Sequence, residues 1–154
     1  MKRKLHQFLL FKDKGNRQIS PGTQVYRWEN APDMYFFVLL ETQRKEPDRF
    51  WVSLAWSRDG LVPSIYPDLK GEDGDRFNLG KLSNARNSFH EWELTTLPSL
   101  VELSPEELSD AFGEEGERKR IEEGIRRAPG SVDDAIDRII EYALPHFDRV
   151  AQTH

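Results

Sequence analysis

Residues 34–57 carry the clearest alternation of apolar and polar positions in the chain. Met34, Phe36, Val38 and Leu40 alternate with Tyr35, Phe37, Leu39 and Glu41, so both faces of this run are apolar over most of its length. A strand patterned in this way belongs in the middle of a sheet covered, at least in part, on both sides. In the following run Phe50, Val52, Leu54 and Trp56 form one apolar set, and Arg49, Trp51, Ser53, Ala55 and Ser57 a mixed one. That pattern predicts a strand with one face on the core. Glu46-Pro47-Asp48 reads as the turn between them, which makes an antiparallel hairpin the simplest connection.

Weaker signals flank this centre. Leu5, Phe8, Leu9, Leu10 and Phe11 fit a short amino-terminal helix ending near the Lys14-Gly15-Asn16 turn signal. Gln24–Glu29 has strand composition, Arg76–Leu82 alternates less cleanly, and Phe89–Leu94 is a further strand candidate. Between them, residues 60–75 read as a loop containing Pro63, Pro67, Gly71 and Gly74.

After residue 103 the period changes to that of helices. Ser104-Pro105-Glu106-Glu107 is a capping box with proline at the first helical position, opening a short helix to about Phe112. Residues 115–127 form a charged helix with a thin apolar stripe at Ile121 and Ile125. A third helix is expected from Val132 to Val150, with Ser131 as N-cap and Asp133 and Asp134 favourably placed against its dipole. Val132, Ala135, Ile136, Ile139, Ile140, Ala143, Leu144 and Phe147 give it one buried stripe, and Pro145 bends it near its end.

Strands followed by helices predict an α+β fold: a central antiparallel sheet of four to five strands, with a short amino-terminal helix and two to three carboxy-terminal helices packed on it. Residues 1–154 are expected to form a single domain, comprising a basic segment (1–18), the sheet (24–95) and a helical part (104–150). At 37% hydrophobic and 32% charged residues, the core depends on large side chains, chiefly 9 Phe, 4 Trp and 4 Tyr.

The net charge of −5 is unevenly spread: residues 1–18 hold six Lys/Arg against one Asp, a net +5, leaving −10 for the rest. A body this acidic repels a nucleic-acid backbone, so a nucleic-acid partner is not expected, and any phosphate contact would fall to Lys2, Arg3, Lys4, Lys12, Lys14 and Arg17. No run approaches the roughly 20 apolar residues of a membrane span, and the Phe8–Phe11 run is too short for a signal peptide, so the expectation is a cytoplasmic protein with no membrane partner.

The absence of cysteine excludes disulfides, thiolate metal sites and cysteine nucleophiles. No two histidines stand at helical ligand spacing, and no serine elbow, phosphate loop or dinucleotide fingerprint occurs. Neither a metal nor a cofactor is therefore expected. The acidic loop with Glu72, Asp73 and Asp75 lacks the regular ligand spacing and terminal glutamate of a calcium loop. One alternative remains: Asp59, His90, Glu91 and Glu93 could gather as the carboxylate cluster of a metal-dependent hydrolase or nuclease.

The leading expectation is a binding surface. Arg27, Trp28, Arg49, Trp51, Arg58 and Trp92 fall on or beside predicted strands, and Trp and Arg are enriched at binding hot spots. The segments Phe11-Lys12-Asp13-Lys14-Gly15-Asn16, Trp56-Ser57-Arg58-Asp59-Gly60 and Glu91-Trp92-Glu93-Leu94 give the chain a layout that resembles small bacterial α+β domains in which a helix and a Gly-Asn turn precede antiparallel strands. The resemblance implies an accessory or immunity-type binder without an assigned reaction. Together these readings predict a non-enzymatic protein-binding domain with an acidic, aromatic-containing surface, whose partner is another protein such as a basic toxin or enzyme.

Overall fold

The alternation in residues 34–57 becomes the centre of a six-stranded antiparallel sheet. The computed structural model describes residues 11–12, 22–28, 33–43, 46–63, 74–95 and 104–153. Its strands are β1 (Phe11–Lys12), β2 (Gln24–Trp28), β3 (Tyr35–Gln43), β4 (Glu46–Ser57), β5 (Gly74–Asn78) and β6 (Glu91–Glu93). They run in the order β1-β2-β3-β4, and the far edge of β4 carries two partners end to end: β5 opposite residues 53–57 and β6 opposite residues 49–51.

Three expectations about the sheet are corrected. Glu46, Pro47 and Asp48 are the first residues of β4 rather than the turn, and Gln43 pairs with Glu46. The register breaks after Thr42, which pairs with Phe50, so Pro47 falls where β4 has no partner on β3 and its missing N–H interrupts no ladder. Phe11, the last residue of the expected amino-terminal helix, instead opens β1 opposite Arg27, and residues 5–10 lie outside the described residues. The weak alternation in Arg76–Leu82 also stops early. Asn78 Oδ1 accepts from Gly80 N at 2.7 Å and caps a 3-10 turn over Leu79–Lys81, so Leu79 leaves the strand and enters the core.

Both faces of β3 are buried, as its sequence requires. Phe36 and Val38 join Tyr26, Val52, Leu54 and Trp92 on the face beneath the helices, while Phe37 and Leu39 pack with Val25, Ala55 and Val62 on the other.

The helical layer is α1 (Pro105–Phe112), α2 (Glu114–Arg138), a π-turn over Ile139–Ala143 and α3 (Leu144–Thr153). Ser104 and Glu107 form the expected reciprocal cap of α1: Ser104 N donates to Glu107 Oε2 at 2.8 Å and Glu107 N to Ser104 Oγ at 3.3 Å. The expected break before Val132 is absent. Ser131 lies inside α2 and caps nothing, and Pro129 is accommodated within the same helix. The carbonyl that Pro129 leaves without its helical donor belongs to Ile125, in a solvent-facing turn where water can serve it.

Pro145 explains the π-turn. Proline has no N–H and its ring crowds the carbonyl four residues earlier, here that of Glu141. In the wider turn Leu144 N bonds to Ile139 O, five residues back, and the helix continues to Thr153. The extra residue per turn shifts the phase of the stripe. Ile139, Ala143 and Phe147 remain buried, but Ile140, expected in the core, is turned outward and is 37% exposed.

Two contacts set the direction of α2 across the sheet. Trp92 Nε1 of β6 donates to Asp134 Oδ2 at 2.7 Å. Ten residues earlier (134 to 124), Gly124 crosses the end of β6 so closely that a Cβ on it would lie 3.3 Å from Thr95 Cγ2. Thr95 is itself held by a hydrogen bond to Asp48 Oδ2 at 2.7 Å.

Candidate functional site

The residues read from the sequence as a binding surface do not share one environment. Trp28 packs against Phe36 and Phe147, with ring centroids at 5.9 and 5.6 Å, beneath α3. Trp92 is buried and stacks on Phe50 at 5.1 Å. Both lie at positions of their strands that face the helices, so their area is spent on the core. Arg27 lies on the opposite face with its guanidinium 5.5 Å from the centre of the Tyr35 ring, and Arg58 is exposed where the chain leaves β4.

Arg49 and Trp51 do share a face, each tied to acidic neighbours. Arg49 reaches Glu91 Oε1 and Glu93 Oε1, both at 3.4 Å. Trp51 Nε1 donates to Glu41 Oε2 at 3.0 Å, and Ser53 Oγ donates to the same oxygen. Arg76 Nη2 donates to Glu41 Oε1 at 2.5 Å, with both side chains almost fully buried. This cluster links β3, β4 and β5, and Arg76 Nη1 extends it to the carbonyl of Pro63 at 3.4 Å. The pair acts as a buried crosslink between strands, with both Glu41 oxygens engaged and Arg76 Nε left without a hydrogen-bond partner among the described residues.

Asp59, His90, Glu91 and Glu93 are not brought together. Glu91 and Glu93 share the Arg49 guanidinium on one face of the sheet. His90 lies on the other side, its ring edge-on to Trp92 with centroids 4.4 Å apart. Asp59 accepts from Leu61 N at 2.9 Å in the turn after β4, beyond Ser57, and the Trp51-to-Ser57 stretch alone spans about 20 Å at the strand rise. Among the described residues no group of three or more His, Asp or Glu is placed to hold a metal ion. Of the acidic loop, only Asp75 is described, exposed on β5. Lys2, Arg3, Lys4, Lys14 and Arg17 lie outside the described residues.

The titratable groups under α2 reflect the same packing. Burial holds the His90 imidazole below its ordinary value, aided by the Arg138 charge and opposed by Asp134 and Glu91. For Asp134, burial works to raise the carboxyl, but hydrogen bonds from Trp92 and Arg138 outweigh it and the net direction is down.

Where the structure leaves space is between α2 and the end of the sheet. A cleft of about 160 Å³ is walled by Leu40, Phe50 and Leu94 below and by Val132, Ile136 and Ile139 above. Gln24, Thr42 and Arg49 provide its polar edge, and all three are already engaged: Gln24 Oε1 accepts from Tyr26 OH at 3.1 Å, Thr42 Oγ1 donates to Gly22 O at 3.2 Å, and Arg49 holds Glu91 and Glu93.

The apolar stripe over this cleft continues beyond the sheet. Ile139, Ile136, Val132 and Ala128 line the cleft, and Ile125 and Ile121 follow on the same helical spacing. Beyond Ala128 the stripe becomes exposed: Ile125 and Ile121, on either side of Gly124 where the helix crosses the end of β6, are 70% and 56% exposed. Alongside, α1 returns Phe112, itself 48% exposed, with the Arg120 guanidinium 5.4 Å from its ring centre.

These residues were within reach of the sequence. The spacing 121, 125, 128, 132, 136 is unbroken, and only the expectation of a new helix from Val132, capped by Ser131, divides it. Compared with known proteins, the chain matches no family model, no curated protein and no solved structure.

Proposed function

We propose that this chain is a non-enzymatic protein-binding domain whose helical overhang, together with the cleft behind it, receives a basic protein partner. The observation that carries this reading is the continuity of one apolar stripe from a buried half to an exposed half. Single exposed apolar residues are ordinary, but Ile121 and Ile125 extend a core surface past the point where the sheet supports it. Such a strip, rimmed by charge, is what a docking surface supplies.

The charge around it selects the partner. Residues 104–123 hold eight Asp/Glu and three Lys/Arg, a net −5. A field of that sign speeds encounter with a basic surface and disfavours nucleic acid. An accessory or immunity-type role, in which the acidic overhang masks a basic enzyme or toxin, is the form of this reading that the resemblance implies.

A photo-cross-linking phenylalanine analogue placed at position 125, in cells that express the chain naturally, tests the reading. The expected result is one discrete adduct with a basic protein, lost on Ile121→Glu. Absence of any discrete adduct, or turnover of a small molecule by the purified chain with no partner retained, overturns it.

A further inference from the structure

The cleft and the overhang form one surface with two unlike parts, and their chemistry describes what fills them. The cleft measures about 160 Å³ and is mostly apolar, bounded by Leu, Ile, Val and Phe side chains with Gln24, Thr42 and Arg49 at its edge. A cavity of roughly 150 Å³ with a similar lining is large enough for a benzene-sized group. The overhang is a helix face whose apolar line, Ile121 to Ile125, leads to that cleft through Ala128. Its margins are acidic: Glu114, Glu117 and Glu122 lie beside the line on α2, and Glu107 and Asp110 border the groove between α1 and α2. Arg118 is drawn to Glu115 at 2.7 Å and to Glu122 at 3.2 Å, and Lys119 to Glu115 at 3.7 Å, so the attraction for an incoming cation rests on the net −5 of residues 104–123 rather than on each carboxylate separately.

On the reading that the overhang binds a basic protein, we propose that the partner presents an amphipathic helix with a single phenyl-sized anchor, which enters the cleft under Val132 and Ile136 while Lys or Arg residues on its flanks meet the acidic margin of α2. A helix is the fitting form because its apolar side chains at i, i+3 and i+4 match a groove of helical spacing. The anchor supplies most of the affinity, since a fully desolvated pocket is where a binding hot spot resides. The acidic margin sets approach rate and register, so its contribution falls with salt.

Two probes test the proposal on the full chain. Toluene, titrated while the methyl resonances of Ile136, Ile139 and Leu40 are followed, should shift these three and leave Ile121 and Ile125 unmoved; no shift at toluene saturation overturns the proposal without requiring any variant. A synthetic helical peptide with one Phe on an apolar face and Lys on both flanks should shift all five residues. Replacing its Phe by Ala should weaken binding at least tenfold, and replacing its Lys by Glu should abolish binding. Equal binding of the Phe and Ala peptides overturns the anchor. Ala128→Phe, which fills the cleft mouth, should exclude toluene and weaken the peptide by a similar factor. An adduct at position 125 that persists unchanged in Ala128→Phe rejects the anchor and leaves the docking reading standing, whereas loss of any adduct in the unmodified chain rejects both.

Discussion

Trp92 Nε1 lies 2.7 Å from Asp134 Oδ2, and this hydrogen bond joins the last strand of the sheet to the final turns of α2. Arg138 Nε donates to the same oxygen at 3.0 Å, so one carboxylate oxygen orients both a strand residue and the next helical turn. Bonds to charged groups contribute about 1.5–3 kcal/mol each. Asp134→Ala should lower the unfolding free energy by an amount in that range, and Trp92→Phe by about the same, since it removes the donor while keeping most of the stack on Phe50. Urea denaturation of the two single variants and the double variant measures the coupling, which should be well below additive.

Stability should fall on mild acidification. Burial holds both His90 and His146 below the ordinary value of 6.5; Arg149 and Lys81 add to the effect at His146, and Asp75 opposes it. With the folded values depressed, the unfolded chain takes up protons first as pH drops. The contribution is therefore complete above about 6.5 and is lost as pH falls through the folded values. Asp134, also depressed, adds a second loss at lower pH, beginning near its ordinary value of 3.8. Urea midpoints measured from about pH 8 down to about pH 5 should decline, and His146→Gln should flatten part of that slope.

Glu41 and Arg76 should be far more sensitive to single than to paired replacement. Removing one member of a buried ion pair leaves the other charge uncompensated, at about 3–5 kcal/mol. Arg76→Met and Glu41→Gln should each approach that loss. The double variant Glu41→Leu, Arg76→Met should recover part of it, because apolar side chains of similar volume remove the desolvation penalty of both charges while Trp51 Nε1 and Ser53 Oγ lose their acceptor. Thermal unfolding of the three variants settles the order.

Substitutions along the α2 stripe should divide sharply at Ala128. Ile136→Ala, over the cleft and in the core, should cost about 2–5 kcal/mol. Ile121→Gln with Ile125→Gln should change stability by no more than about 0.5 kcal/mol, as expected for exposed sites. Denaturant midpoints check both, and the second variant then serves as a folded control for binding experiments.

The hairpin of β3 and β4 was legible because β3 is apolar on both faces over most of its length and β4 sets Phe50, Val52, Leu54 and Trp56 on one face. Two errors arose where a residue type reads as punctuation, Pro47 in a turn and Ser131 as a helix cap; Pro47 falls where its N–H is not needed, and Ser131 lies inside α2. The π-turn before Pro145 was legible as a disturbance but not in its consequence, the outward rotation of Ile140. The binding candidates were chosen by residue type, and type alone does not say which face a Trp occupies. Trp28 and Trp92 share a face with Phe36 and Phe50, and their pairing across the sheet, which decides their burial, lies in the register rather than in local sequence.

The unbroken course of α2 gives the molecule a lever. Between Ile121 and Ile136 runs about 22 Å of continuous helix, stiff because Pro129 does not divide it. Gly124, resting on Thr95, is the fulcrum. Whatever is held at Ile121 and Ile125 therefore sits on the same helix that covers Leu40 and Phe50.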